Sequence, residues 1–330
     1  MTTKFICQTT ENPFLSGILG LATADALGVP FEFHTRREMK NNPCIDMVGM
    51  GTYSQPAGTW SDDTSMALCV MDSLTKGYFD PEDIMKKFVS WMKHAKYTAT
   101  DELFDIGSTT RRALMNFVMS KDIESAGNRT ENGNGNGSLM RTLPISLWRS
   151  LTCAEDDPEF LTPVHTTSAL THAHVRSLVC CGIYTYIARE ILLKRDGEPL
   201  NDLIGRGFAK AMDKYKALGG EFAKEIAPGN AEYVSPENLI HYTEDKITSG
   251  GYVLDTLHAA LWCLLTTNTY QDCVLKSVNL GSDTDTTAAV AGGLAGLYYG
   301  PDAIPANWLK TLKKRELLEK IAKKAYDAGK

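Results

Sequence analysis

Apolar residues recur along this chain at the three- and four-residue spacing of amphipathic helices. No segment alternates polar and apolar over five or more residues with β-branched enrichment, so no strand is predicted. Phe14, Ile18, Leu19, Leu21 and Ala22 open a small-residue helix that should end near Gly28-Val29-Pro30. Asp80-Pro81-Glu82-Asp83 is a helix start: a cap, a proline in the first turn, then acids. Ile84, Phe88 and Trp91 then share one face. The same spacing predicts helices over 102–118, 139–148, 169–193, 203–217, 252–265, 287–298 and 309–328, and Ser235-Pro236-Glu237 reads as another start. Irregular structure is expected over 36–58, 121–137, 152–167 and 219–236. None of these is rich enough in proline or serine to be a linker, and no solenoid or heptad repeat is present. The expectation is an all-α fold in a single compact multi-helix domain over 1–330, with its core over about 13–300, a C-terminal helix at 309–328, and functional loops between helices.

Composition changes this picture little. At 43% hydrophobic and 22% charged, the 330 residues have ordinary globular proportions. The net charge is −6 and lysine and arginine are scattered, which excludes a nucleic-acid footprint. Lys310, Lys313, Lys314, Lys320, Lys323 and Lys324 are interleaved with Glu316, Glu319 and Asp327, as on a solvated helix face. The eight cysteines (7, 44, 69, 153, 180, 181, 263, 273) form no C-x-x-C pair, and several sit in apolar helical runs. Buried free thiols in a reducing compartment are expected. Residues 1–12 lack the pattern of a signal peptide, and the apolar stretch 288–299 is too short and glycine-rich to span a bilayer. A cytoplasmic location without a membrane partner is expected.

Candidate chemistry is concentrated in two acidic segments more than two hundred residues apart: Trp60-Ser61-Asp62-Asp63-Thr64 and Gly281-Ser282-Asp283-Thr284-Asp285-Thr286-Thr287. Each runs into an apolar stretch, so each also reads as a helix N-cap with acids favouring the helix dipole. Capping uses one such side chain. Asp62 beside Asp63, and Asp283 with Asp285, leave surplus negative charge that repels itself unless a cation is present. Carboxylates and hydroxyls are the ligands that hard divalent cations prefer.

Other segments admit a plain and a functional reading. Asn132-Gly133-Asn134-Gly135-Asn136-Gly137-Ser138 is either a flexible turn or a phosphate cradle at a helix start; it is neither a Walker loop nor a dinucleotide fingerprint. His172 and His174, at i and i+2, point to different helix faces, which argues against a shared zinc; one of them suits a phosphate or ribose oxygen. Gly107, beside Asp105 in an otherwise helical pattern, fits helix packing or close approach to a ligand. Glu32, between Phe31 and Phe33, is either a semi-buried carboxylate of raised pKa suited to acid–base work or a loop residue paired with Arg36 or Arg37. Tyr252, after Gly250-Gly251, fits core packing or stacking on a base or sugar.

Taken in order, these pieces resemble the ADP-ribosylglycohydrolase family, the group that includes dinitrogenase reductase-activating glycohydrolase. The similar segments are 17–33, 58–66, 104–111, 135–141, 168–174, 250–262 and 279–296, so the likeness runs from about Pro13 to Gly300. Ala24 departs from it: the family usually has glycine before the acid that is Asp25 here, and alanine should tighten packing there. The resemblance implies a binuclear Mg²⁺ or Mn²⁺ site at the base of an ADP-ribose cleft, with Ser61, Asp62, Asp63, Asp283, Asp285 and Thr286 as ligands. It also implies that Asp105, the Gly107 turn and Gly135-Asn136-Gly137-Ser138 lie along the substrate, near its diphosphate, with His172 close to phosphate or ribose and Tyr252 close to the nucleotide. The Phe-Asp-Ile-Gly stretch at 104–107 looks more like the arginine-directed than the serine-directed branch.

The implied reaction is metal-dependent cleavage of the glycosidic bond between ADP-ribose and a protein side chain, through an oxocarbenium-like state, with ADP-ribose released from an ADP-ribosylated protein. Asp63 or Glu32 would orient or deprotonate the attacking water, and the sequence does not rank them. Two rivals use the same residues: a Mg²⁺-dependent nucleotide phosphohydrolase, and a non-catalytic ADP-ribose-binding or structural member of the fold.

Overall fold

The computed structural model describes residues 12–329. Sixteen α-helices are present among them: α1 (Pro13–Gly28), α2 (Arg36–Asn41), α3 (Asp62–Leu74), α4 (Pro81–His94), α5 (Ser108–Ser120), α6 (Leu143–Thr152), α7 (Thr162–Ala169), α8 (Val175–Leu192), α9 (Leu200–Leu218), α10 (Gly220–Glu225), α11 (Pro236–Leu239), α12 (Val253–Leu265), α13 (Tyr270–Asn279), α14 (Thr284–Tyr299), α15 (Ala306–Thr311) and α16 (Arg315–Ala328). Among the described residues there is no strand, only isolated bridges. All the long helices feed one continuous core, which includes Leu21, Met66, Trp91, Ile145, Ile187, Leu261 and Leu294.

The axis of the molecule is the pair α1 and α14. They run antiparallel through the core along a seam of small residues, with Ser16, Gly20, Ala24 and Gly28 spaced one turn apart on α1. A Cβ on Gly28 would lie 2.4 Å from Asp285 Cα, and one on Gly292 would lie 2.4 Å from Ala24 Cβ. Gly292 therefore makes the room that the Ala24 methyl takes. Backbone contact this close fixes the start of α14 against the end of α1. The segment Pro13–Phe31 is long and apolar enough to cross a bilayer, but nearly all of it is buried by its neighbours.

Several boundaries differ from those the periodicity predicts. The helix expected over 102–118 starts only at Ser108, because Asp105 takes a left-handed conformation (φ 48°). The helix expected over 139–148 begins as a 3-10 turn (Asn136–Arg141) and becomes α6 at Leu143, where Pro144 occupies the first turn. The run 169–193 is cut at 170–174. There Asn128 N–H donates to Thr171 O (2.9 Å) and Ala173 N–H to Asn128 O (2.8 Å), so backbone pairing replaces helix. The terminal run 309–328 splits at Lys314 (φ 42°) into α15 and α16. Segments expected to be irregular hold α2, most of α7, and α10, and α13 was not anticipated. The seven described cysteines are buried and free, as expected; Cys7 and the segment 1–11 lie outside the described residues.

Candidate active site

The two acidic segments meet. α3 and α14 point their N-termini at one spot, and Thr286 Oγ1 donates to Asp63 Oδ2 (3.3 Å) across a gap of 223 residues in sequence. Asp25, Asp63 and Asp285 each offer a carboxylate oxygen within 4.8 Å of the others, and Glu32, Asp283 and Asp285 do the same. Asp285 belongs to both groups. Asp62 is buried and electrostatically coupled to Asp63, Asp25 and Asp105.

Capping accounts for little of this. Ser61 is the cap of α3, its Oγ accepting from Asp63 N–H (3.3 Å) while donating to Asp63 Oδ2 (3.0 Å). Asp283 stands at the N-cap position of α14 and makes no capping hydrogen bond. Its Oδ2 instead accepts from Asn136 Nδ2 (2.8 Å), on the asparagine–glycine loop. Asp63 Oδ1, Asp283 Oδ1 and Asp285 Oδ2 are buried without any hydrogen-bond partner. A buried carboxylate oxygen left bare is costly unless a cation neutralises it. Burial first, and then the neighbouring acids, hold Asp62, Asp63 and Asp285 well above the usual carboxylate range. This donor set of clustered carboxylates, with hydroxyls from Ser61 and Thr286 beside them, fits a hard divalent cation.

Asp25 is a candidate site residue that the acidic motifs alone do not include. It is wholly buried in α1, where it accepts Ser61 N–H (2.9 Å), Thr64 N–H (3.1 Å) and Thr64 Oγ1–H (2.6 Å), tying α1 to the first turn of α3. Burial raises it to about 6 despite those bonds. The available signal was an acid alone in an apolar helix. Glu32 is only 6% exposed; its Oε2 accepts from Tyr53 Oη (2.5 Å), and burial followed by the Asp105 charge raises it to about 9. The loop reading of Glu32 fails for Arg36, whose guanidinium is spent on the carbonyls of Leu280, Glu244 and Ile247. The left-handed turn aims Asp105 inward, within hydrogen-bonding reach of Tyr53, Asp285 and Glu32. Gly107 itself is exposed and stands at the N-cap of α5, and a Cβ there would meet only Thr110 Oγ1, at an ordinary 3.9 Å, so no close approach explains it.

The asparagine–glycine loop forms a wall beside the acids. Asn136 N–H donates to Gly251 O (3.0 Å) and Val253 N–H to Asn134 O (3.0 Å), stitching the loop to the start of α12. Asn136 Nδ2 also reaches Thr256 Oγ1 (2.9 Å). A Cβ on Gly137 would lie 2.9 Å from His172 Cε1, so the loop rests on that ring. His172 Nδ1 bonds Thr171 Oγ1 (2.7 Å), and burial together with the Arg141 charge lowers its pKa to about 3, leaving a neutral imidazole. Arg141 is fully buried and clamps the loop from beneath, donating to Gly137 O (2.5 Å) and Thr171 Oγ1 (2.7 Å). Ser138 faces inward, its Oγ 3.6 Å from Cys181 Sγ. Its side chain therefore does not line the cleft. His174 is not at the loop's centre; it caps α8 and pairs with Glu131 (3.2 Å). Tyr252 is 36% exposed, and its hydroxyl accepts from Arg176 (3.0 Å). A separate cavity of about 360 Å³ adjoins Tyr252 and Arg176 and is walled also by Tyr242, Lys246, Asp255 and His258; none of the clustered acids lines it.

A family profile described as ADP-ribosylglycohydrolase matches residues 7–330. The chain is 32% identical over 313 residues to ADP-ribosylarginine hydrolase Tri1 of Pseudomonas putida (strain GB-1), covering 94% of this chain and 76% of that protein. It is 31% identical over 318 residues to the ADP-ribosyl-[dinitrogen reductase] glycohydrolase of Rhodospirillum rubrum, covering 95% and 94%. Among solved structures, an ADP-ribosylglycohydrolase-related protein complex superimposes with a TM-score of 0.75 at 31% identity, covering 97% and 98% of the two chains.

Proposed function

The chain belongs to the ADP-ribosylglycohydrolase family of hydrolases, and we propose that it cleaves the bond between the anomeric carbon of ADP-ribose and an arginine side chain of a modified protein. The observation that carries the metal-dependent part is the set of bare, buried oxygens on Asp63, Asp283 and Asp285. Asp62, Asp63, Asp283 and Asp285, with the hydroxyls of Ser61 and Thr286, would hold one or two Mg²⁺ or Mn²⁺ ions, Asp285 being common to both acid groups. Bound there, the cations would neutralise the acids, grip the ribose hydroxyls and acidify a water.

The remaining steps belong to the protein. The loop would face the diphosphate at Gly135 and Gly137, since the Asn136 N–H is taken by Gly251 O. Arg141 and His172 keep that loop in one conformation, so little entropy is lost when substrate binds. The exposed ring of Tyr252 gives the base a stacking surface, held in place by Arg176. Asp63 is fully buried and has one oxygen engaged by Ser61 and Thr286, which suits a ligand. Glu32 is nearer the rim, on Tyr53, and would act in its ionised form, which a cation held beside it by Asp283 and Asp285 would favour. We assign Glu32 the proton from the attacking water as the carbon–nitrogen bond breaks and the guanidine nitrogen is released.

The test is release of ADP-ribose from arginine-linked and serine-linked ADP-ribosyl peptides, with Mg²⁺ or with chelator. Mg²⁺-dependent release from the arginine-linked peptide is expected. Inorganic phosphate as the product, or full activity in chelator, would contradict the proposal.

A further inference from the structure

Beside the acids stands a ladder of aromatic rings that the chemistry above does not use. Phe104 and Tyr53 have ring centroids 5.0 Å apart, tilted at 45°, and Tyr53 and Phe33 are 6.5 Å apart, tilted at 58°. Tyr53 bonds Glu32 and lies within reach of Asp105. The ladder thus leads from buried carboxylates to an open ring, since Phe33 is 68% exposed. Beyond its contact with Tyr53, the ring stands outside the hydrophobic core. Phe33 has φ 66°, a conformation that bulky side chains rarely adopt. It is kept there by Phe33 N–H donating to Ser282 O and Ser282 N–H donating to His34 O, both at 2.7 Å, and Ser282 is itself left-handed (φ 66°). Strain held in place at the edge of a site points to a use for the group it presents.

Rings and carboxylates on one surface match one kind of side chain. A guanidinium is planar, always charged, weakly hydrated, and stacks on aromatic faces while donating to carboxylates. A serine-linked substrate has no such group. We propose that Phe33, Tyr53 and Phe104, with Glu32 and Asp105 beside them, form a slot for the guanidinium of the modified arginine, and that Phe33 is a specificity-determining residue for that leaving group. This rests on the glycohydrolase reading and extends it from the sugar to the group the sugar leaves.

The test uses the full chain with Mg²⁺ and ADP-ribose present, and agmatine as the guanidinium probe in calorimetry. Phe33→Ala should weaken agmatine binding about fivefold or more. Phe33→Trp should restore it, and the affinity for ADP-ribose alone should stay unchanged in both variants. With the arginine-linked peptide, Phe33→Ala should raise KM by a similar factor with little change in kcat. No agmatine binding by the parent protein, agmatine binding that ignores Phe33, or a parallel loss of ADP-ribose affinity would overturn the slot. The two readings fail separately. Agmatine bound through Phe33 in a protein that hydrolyses no ADP-ribosyl linkage removes the reaction and keeps the slot. Hydrolysis of the arginine-linked peptide with an unchanged KM in Phe33→Ala removes the slot and keeps the reaction.

Discussion

Replacing Asp285 by asparagine separates a cation site from a helix terminus, because the two accounts differ in sign. Asp285 is buried, keeps one oxygen on the Thr286 N–H (2.9 Å), and leaves the other bare. Burial comes first among the effects that disfavour its charge, followed by Glu32, Asp105, Asp63 and Asp283. Two like charges within 4.8 Å of each other repel by roughly 3 kcal/mol or more at an effective dielectric of about 20, a repulsion the cluster relieves by taking up protons. Asp285→Asn keeps the shape and an acceptor for Thr286 but removes the charge. In chelator the variant should therefore melt at or above the parent temperature, by about 2 °C if about 1 kcal/mol of repulsion is relieved. With Mg²⁺ the order should reverse, because the parent gains stability from the bound ion and the variant gains less. Turnover should fall about 100-fold or more. If Asp285 merely served the helix end, the variant would lose about 1 kcal/mol in chelator and keep its turnover. That pair of results, read by thermal melts and an ADP-ribose release assay, would refute the reasoning.

Three other outcomes follow from the same geometry. In chelator the melting temperature should fall as pH rises from about 5 to 9: Glu32 is raised in the fold from 4.5 to about 9, so the native state binds the extra proton and loses that advantage as pH climbs through the window. Mg²⁺ should flatten the dependence, and a melting temperature that rises over that range in chelator would contradict it. Gly28→Ala sets a methyl 2.4 Å from Asp285 Cα and should cost about 2 kcal/mol or more together with turnover, whereas Gly205→Ala on α9, with nothing within 4 Å, should stabilise slightly; equal melting temperatures for the two variants would remove the α1–α14 seam as the element that places Asp285. Arg141→Lys keeps the charge but cannot hold both Gly137 O and Thr171 Oγ1, so KM should rise about tenfold while the Mg²⁺ shift in melting temperature stays at the parent value; an unchanged KM would free the loop from that clamp.

What the chain discloses on its own depends on how local each feature is. The start of α4 was legible because Asp80 and Pro81 set it within one turn. The convergence of 61–63 with 283–286 was legible from charge: two acid pairs exceed what two caps can use, and Asp283 indeed caps nothing. The cut at 170–174 was not, since Leu170 and Ala173 continue an apolar pattern and only pairing with the distant Asn128 breaks the helix. Nor was the left-handed turn at Asp105, which ends the predicted helix early; Asp105 itself stood among the residues the resemblance sets along the substrate, and the turn brings it within reach of Glu32 and Asp285. Asp25 lay in plain view, but its bonds to Ser61 and Thr64 arise only when α1 and α3 pack. Ser138 belongs to the loop that the resemblance sets near the diphosphate, but the direction of its hydroxyl was not legible: the 3-10 turn points it to Cys181.

The central claim, that acids from both ends of the chain converge on divalent cations, is tested most directly by anomalous diffraction from crystals soaked in Mn²⁺. The account predicts anomalous density among the carboxylates of Asp63, Asp283 and Asp285, lost in crystals of Asp285→Asn. Manganese bound elsewhere while these carboxylates stay bare, or density that survives the substitution unchanged, would contradict it.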